Sequence, residues 1–290
     1  MTKPLTPDGW FIENHEDIYA QGFAVTKHLH HEKTPFQVLD IYDTAEHGRL
    51  MVLDGFVMLT DAHEFPYHEM LVHVPLLVHP EPKRVLVIGG GDGGCIRAML
   101  RHPVVEKATM CEIDEAVTRA SQTYFPYLTE WIDTDSRGEA RFADGIAYIK
   151  ENPGTFDVIV VDSTDPIGPA KGLFNRSFYN DVKQALKPGG IVAVQGESYW
   201  YFKDEVVEML QELGSVFDHM QYYTTQVPCY PGTVWGLGIA SMTDYDFTCP
   251  HDPKRAETIA ETSSYYTPDI HRTAFVHPAF ARKIIGGLLK

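Results

Sequence analysis

Between residues 84 and 196 the chain repeats a pattern that few folds accommodate. Short apolar runs, "RVLVI", "KATMCEI", "FDVIVVD" and "GGIVAVQG", with a shorter "EARFADG" among them, are rich in β-branched residues. Helix-like segments such as "CIRAMLRH", "AVTRASQTYF" and "IAYIKE" fall between them. Apolar strands that alternate with helices predict an α/β fold whose parallel sheet is covered on both faces. The late pair "HMQYYTTQVP" and "VWGLGIAS" reads as an antiparallel hairpin added to that sheet. Before residue 70 the pattern differs: "FQVLDIYDT" and "GRLMVLDGFVMLT", parted by "AEHG", read as β-structure. A helix is expected over "PYHEMLVHVPLLVH", and the prolines of "HPEPK" mark a junction.

The first strand of the repeat runs into Gly89-Gly90-Gly91-Asp92-Gly93-Gly94. Gly89, Gly91 and Gly94 occupy the positions of G-x-G-x-x-G, where small residues let backbone approach a ligand at a helix N-terminus. An acidic residue about 20 positions on takes ribose hydroxyls in such sites, and Glu112 ends the next strand. A nucleoside site is therefore expected. Asp92 narrows the ligand, because a carboxylate there opposes the pyrophosphate of a dinucleotide. It equally opposes the amino-acid carboxylate of S-adenosylmethionine. Two carboxylates about 4 Å apart repel by on the order of 4 kcal/mol at an effective dielectric near 20. A ligand with the ammonium but no carboxylate, decarboxylated S-adenosylmethionine, turns that penalty into attraction.

A second acidic cluster, "VDSTDPIGPAKGLF", follows the fourth strand. Asp162 falls at the strand's carboxyl end, where open α/β sheets bind ligands. Asp165 lies in a Pro/Gly-rich segment that can order over a substrate. Together they suit an ammonium, with Mg²⁺ and simple turn capping as the alternatives. Asp144-Gly145 ends the third strand and resembles a dipeptide that reads an adenine amino group, or a plain turn.

Composition excludes several classes. With 24 Lys+Arg against 40 Asp+Glu, the formal charge of −16 opposes nucleic-acid binding and favours cationic ligands. No uninterrupted apolar stretch reaches membrane-spanning length, and "MTKPLTPDGWFIENHED" lacks the form of a secretory signal. Cys95, Cys111, Cys229 and Cys249 form no C-x-x-C pair, so reduced thiols and a cytoplasmic location are expected. The histidines of "HLHHE" and "HEFPYHE" lack His-Glu-x-x-His spacing, and no metal is expected.

Taken together, the chain resembles the polyamine aminopropyltransferases, the family of the spermidine synthases. The resemblance runs from Trp10 to Lys283 through "LDGFVMLTDAHEFPYHEMLVHVPL", "VLVIGGGDGG", "CEIDEAV", "DVIVVDSTDPIGPAKGLF", "ALKPGGI", "VQGE", "VPCYPG" and "YYTPDIHRTAFVHPAFARK". It implies an oligomerising β-domain over residues 1–70, completing the acceptor site, and a Rossmann-like catalytic domain over 71–290. It implies transfer of an aminopropyl group from decarboxylated S-adenosylmethionine to putrescine, in a homodimer or homotetramer with no tightly bound cofactor. Gln37 then contacts the nucleoside, Glu112 the ribose and Asp144 the adenine. Asp92 and His68 hold the donor's ammonium, while Tyr67, Asp162 and Asp165 handle the attacking amine. Gln195 and Tyr230 address the acceptor, Trp10 and Trp235 wall its methylenes, and Pro166 to Leu173 form a gate. Met58, His63 and Val38 depart from the family pattern near the acceptor entrance or the subunit contact. Agmatine or cadaverine therefore stay open as acceptors; a methyltransferase and a silent polyamine binder are the competing classes.

Overall fold

The computed structural model of the chain describes residues 9–15, 19–164 and 172–290. Strands β1 (Trp10–His15), β2 (Tyr19–Lys33), β3 (Val38–Thr44), β4 (Arg49–Leu53) and β5 (Phe56–Thr60) form an antiparallel sheet in sequence order. "GRLMVLDGFVMLT" is two strands, not one run. Asp54 (φ 50°) and Gly55 (φ 90°) turn the chain between them, and two successive left-handed residues suit a tight hairpin.

Helix α1 (Phe65–Val78) follows, buried from Pro66 to Val78. A helix apolar on nearly every side belongs in an interior. It packs on α2 (Gly94–Leu100) and on strands β9 (Phe156–Asp162), β10 (Leu186–Gly196) and β11 (His219–Gln226). Its buried polar groups are partnered: the Glu69 carboxylate meets Arg101 at 3.1 Å and accepts from the backbone N–H groups of Ser264, Tyr265 and Tyr266. This helix crosses residue 70, whereas the first sheet ends at Thr60.

The second sheet adds β6 (Arg84–Gly89), β7 (Lys107–Glu112), β8 (Gly138–Phe142) and β12 (Val234–Ser241), in the order β11-β12-β10-β9-β6-β7-β8. The five strands from β10 to β8 run parallel; β12 pairs antiparallel with β10, and β11 with β12, giving the expected hairpin. From β6 the chain builds outward through β7 and β8, then returns to lay β9 on the other side of β6. Open sheets bind ligands at that reversal. Gly89 and Asp162 are register partners across it. Helices α3 (Glu115–Tyr124), α4 (Pro126–Thr129), α5 (Trp131–Thr134), α6 (Gly145–Glu151), α7 (Arg176–Ala185) and α8 (Lys203–Gly214) connect the strands; α9 (Pro253–Ala260), α10 (Pro268–Thr273) and α11 (Ala279–Ile285) follow.

Candidate active site

A cleft of about 1320 Å³, including its open mouth, lies between the first sheet and the carboxyl ends of the parallel strands. The glycine loop forms one wall. Gly89 is left-handed (φ 80°), and a Cβ there would meet the Asp162 carbonyl oxygen at 2.1 Å, so only glycine lets β6 and β9 end this close together. Gly94 has a different reason: a Cβ would fall 2.3 Å from the His68 ring. The loop is thus shaped around His68 as much as around a ligand.

Asp92 accepts from the Gly94 N–H at 2.7 Å and faces His68 Nε2 at 3.2 Å. His68 Nδ1 lies 2.7 Å from Glu64 Oε2, one helical turn earlier. A carboxylate only accepts, so a ring between two carboxylates carries a proton on each nitrogen. Burial opposes that charge, but Asp92 and Glu64 outweigh it and push His68 up to about 10. Burial raises Asp92 and Glu64 too; the His68 cation and its hydrogen bonds prevail, and both fall below the usual carboxylate range. Arg97 Nη2 completes the group, 2.8 Å from each Glu64 oxygen. His68 therefore orients Asp92 as its counter-ion. A cation does not attract an ammonium, so Asp92 is the residue of the pair whose charge suits one.

With Glu64 and Asp92 balanced by Arg97 and His68, Asp162 is the carboxylate of this group with no ion-pair partner among the described residues. The Tyr67 hydroxyl donates to its Oδ1 at 2.7 Å, and the Cys95 thiol to its Oδ2 at 3.1 Å. Burial, then the charge of Asp92, raises Asp162 above its ordinary range, while His68 and those two donors restrain the rise. Tyr67 and Cys95 are both pushed well up, by burial and then by Asp162, and remain protonated donors. His68, Cys95 and Asp162 place donor atoms within 4.8 Å of one another. A metal there would have to displace the Tyr67 hydrogen bond or the thiol proton, and His68 from its carboxylates.

The other wall is the nucleoside side. The Glu112 carboxylate accepts from the N–H groups of Gly91 (3.1 Å) and Asp114 (2.8 Å), and burial outweighs those bonds to raise it to about 7. Asp144 caps α6 through the Ile146 N–H at 2.8 Å and, with Gly145, lines the cleft. Gln37 also lines it, its amide donating to Asp114 at 3.0 Å. At the far end stand Tyr230, whose hydroxyl donates to the Met58 carbonyl at 2.7 Å, Trp235 and Gln195. Gln195 is buried, and its Oε1 has no hydrogen-bond partner among the described residues.

Trp10 stands apart from the rest. It is 47% exposed and does not line the cleft. The alternation of β1 puts Glu13 and His15 inside and Trp10 on the opposite face. Asp165 and residues 166–171 of the expected gate lie outside the described residues; Leu173, at the end of that segment, lines the cleft.

Four participants were missed in the sequence. Glu64 and Arg97 complete the His68 ion group, and Glu64 carries the available signal, standing four residues before His68 at a helix start. Glu13, which accepts from the Val57 N–H at 2.9 Å and lies 3.3 Å from His15, was readable from the alternation of "WFIENH". Nothing in the sequence marks Cys95 beyond its place after the loop.

The model of the spermine/spermidine synthase domain matches residues 64–249, and that of the spermidine synthase tetramerisation domain matches residues 9–61. This chain belongs to the spermine/spermidine synthase family. A polyamine aminopropyltransferase of Desulforudis audaxviator is 44% identical over 274 residues, covering 93% of this chain and 97% of the relative. One from Xanthomonas euvesicatoria is 43% identical over 285 residues, covering 97% and 99%. Among solved structures, a spermidine synthase in complex with the transition state analogue AdoDATO superposes with a TM-score of 0.92 at 33% identity, covering 96% of this chain and 94% of that one. The spermidine synthase of Thermotoga maritima gives 0.90 at 33% identity with the same coverage. Family members are enzymes, and the Rossmann-like core with an antiparallel sheet before it is their architecture.

Proposed function

We propose that this chain transfers the aminopropyl group of decarboxylated S-adenosylmethionine to putrescine, giving spermidine and 5′-methylthioadenosine. One observation carries the reading: a loop carboxylate, Asp92, oriented by a cationic His68 beside the Asp162 carboxylate, at the sheet's ligand-binding reversal. That arrangement favours a cationic donor tail and disfavours one that bears a carboxylate. Glu112 and Asp144 take the ribose and adenine, Gln37 borders the nucleoside, and Gln195, Tyr230 and Trp235 receive the acceptor. Asp165 and the 166–173 gate are assigned to the amine on resemblance alone.

In the reaction the acceptor's nitrogen lone pair forms a bond to the aminopropyl carbon beside sulfur. The carbon–sulfur bond breaks, and its electrons neutralise the sulfonium. Alignment of the two is worth several kcal/mol. The amine must also lose a proton, and an alkylammonium with pKa near 10 is only about 0.1% free base at neutral pH. Asp162 accepts that proton, and its raised pKa narrows the gap to the ammonium. Tyr67 orients the carboxylate and the amine. The match to the tetramerisation domain supports assembly into a homotetramer.

The test is direct. The purified protein is incubated with decarboxylated or intact S-adenosylmethionine and with putrescine, agmatine or cadaverine, and methylthioadenosine and coupled amine are measured. Product with the decarboxylated donor and putrescine is expected. Faster turnover with another amine overturns the acceptor, and no methylthioadenosine with any amine overturns the reaction.

A further inference from the structure

We propose that the outer face of the first sheet carries a three-ligand site for a divalent transition metal of the Zn²⁺ class, formed by His28, His31 and Asp40. Along the sequence the spacing of these histidines matches no metal motif. The fold changes their relation. His28 and His31 are three apart along β2, which in a regular strand puts them on opposite faces. Here β2 carries an irregularity: His28 pairs with Tyr42 and His31 with Asp40, so three steps on β2 span only two on β3. Residues two apart share a face, and the bulge brings both rings onto the face of Asp40.

The donors converge. His28 Nε2 lies 2.7 Å and His31 Nδ1 2.8 Å from the same Asp40 oxygen, and all three donor atoms fall within 4.8 Å of one another. Asp40 forms the floor, with its side chain 14% exposed, and the rings form a rim open to solvent at 46% and 61%. His28 is stacked on Tyr42, centroids 4.5 Å apart and 17° from parallel, which fixes the plane of one ligand in advance. Two imidazoles, one carboxylate and a fourth position facing water match a tetrahedral Zn²⁺ site with one open position. Donors around such an ion sit about 3.3 Å apart, so the Asp40 oxygen withdraws about half an ångström from each nitrogen. A metal-bound imidazole ligates through the nitrogen that faces Asp40 and carries its N–H on the other. The site stands outside the cleft and does not depend on the transfer reaction.

The test uses the metal-free full-length protein in a non-chelating buffer. Zn²⁺ is titrated by calorimetry, and Co²⁺ by absorption, into wild type, the double variant His28→Ala/His31→Ala, and Asp40→Asn. One equivalent bound by wild type is expected, lost in the double variant and weakened about tenfold or more in Asp40→Asn. The bound Co²⁺ should show ligand-field bands without thiolate charge transfer, which separates this site from His68, Cys95 and Asp162. Transfer activity should stay within about twofold in all three proteins. Equal stoichiometry and affinity in wild type and double variant, or Co²⁺ binding only with a thiolate band, overturns the proposal.

Discussion

Replacing Asp92 with Asn tests the electrostatic core of the functional reading. The substitution keeps the side-chain oxygen that accepts from the Gly94 N–H, so the loop retains its turn while losing its charge. With the ammonium of intact S-adenosylmethionine beside Asp92, the ligand's own carboxylate sits about 4 Å away, a repulsion of about 4 kcal/mol at an effective dielectric near 20. His68 is 3.2 Å beyond Asp92 and returns about 2 kcal/mol of attraction across some 7 Å. The pair together thus disfavours the intact donor by about 2 kcal/mol, roughly 30-fold. In the variant the repulsion vanishes and the attraction remains. The preference shifts by about 4 kcal/mol toward S-adenosylmethionine, up to roughly a thousandfold in the affinity ratio. Both donors carry the ammonium, so its lost contact with residue 92 cancels.

Loss of Asp92 also lowers the pKa of His68, because that carboxylate is the strongest force raising it. The shift in selectivity should therefore be largest near pH 6 and shrink as the pH rises through 8. In wild type, His68 stays cationic to about pH 10, and the selectivity should be flat between pH 7 and 9. Calorimetric affinities of both donors for both proteins, at three pH values, decide the matter. A ratio that moves by less than about threefold on Asp92→Asn refutes the reasoning.

Further expectations follow from particular contacts. Tyr67→Phe removes the 2.7 Å hydrogen bond to Asp162; a bond to a charged group is worth about 1.5–3 kcal/mol, so kcat/KM should fall about 10- to 100-fold. Because that donor holds the Asp162 pKa down, the acid limb of the pH–rate profile should also move to higher pH; an unmoved limb contradicts the proton-accepting role of Asp162. Gly94→Ala would drive a methyl into the His68 ring and should weaken donor affinity more than it lowers the melting temperature; unchanged affinity contradicts the part given to His68. Burial holds His102 at about 3 and His271 at about 4, so both are neutral when folded and protonate on unfolding below pH 6.5. Stability present above that pH is lost as the pH falls, by about 2 kcal/mol for each group at pH 5, and urea unfolding at pH 7 and pH 5 measures it.

How much of this was legible in the sequence depends on the range of the interaction involved. Strands β6, β7, β9 and β10 announce themselves because burial on both faces demands runs such as "VIVV", and the local pattern suffices. The loop glycines and Glu112 are legible for the same reason: strand, turn and helix are neighbours in sequence. Strands β1 and β2 were not singled out, since their half-exposed faces carry mixed residues such as "YAQGFAVTKHLHHEK". Charge states are set by contacts across the fold. The charge on His68 is not legible until α1 brings it between Glu64 and a loop 24 residues later, and Cys95 is one of four reduced thiols until β9 places Asp162 against it.

The same distinction explains the two histidine clusters. In "HEFPYHE" the relevant spacing is a helical four, from Glu64 to His68, and the product is an ion pair that orients a carboxylate. In "HLHHE" the spacing acquires meaning only through a bulge that no residue in the stretch announces. Spacing reports proximity only once the backbone geometry is known, so a motif search that assumes a helix passes over donors gathered by an irregular strand. Residues 28, 31 and 40 are close because β2 fits one more residue than β3 between two pairing points. Deleting Leu29, the extra residue, would leave the two histidines two apart in a regular strand, on one face opposite Tyr42 and Asp40, so metal binding should survive it. Metal lost from a folded deletion variant would mean that the shared face is not what assembles them.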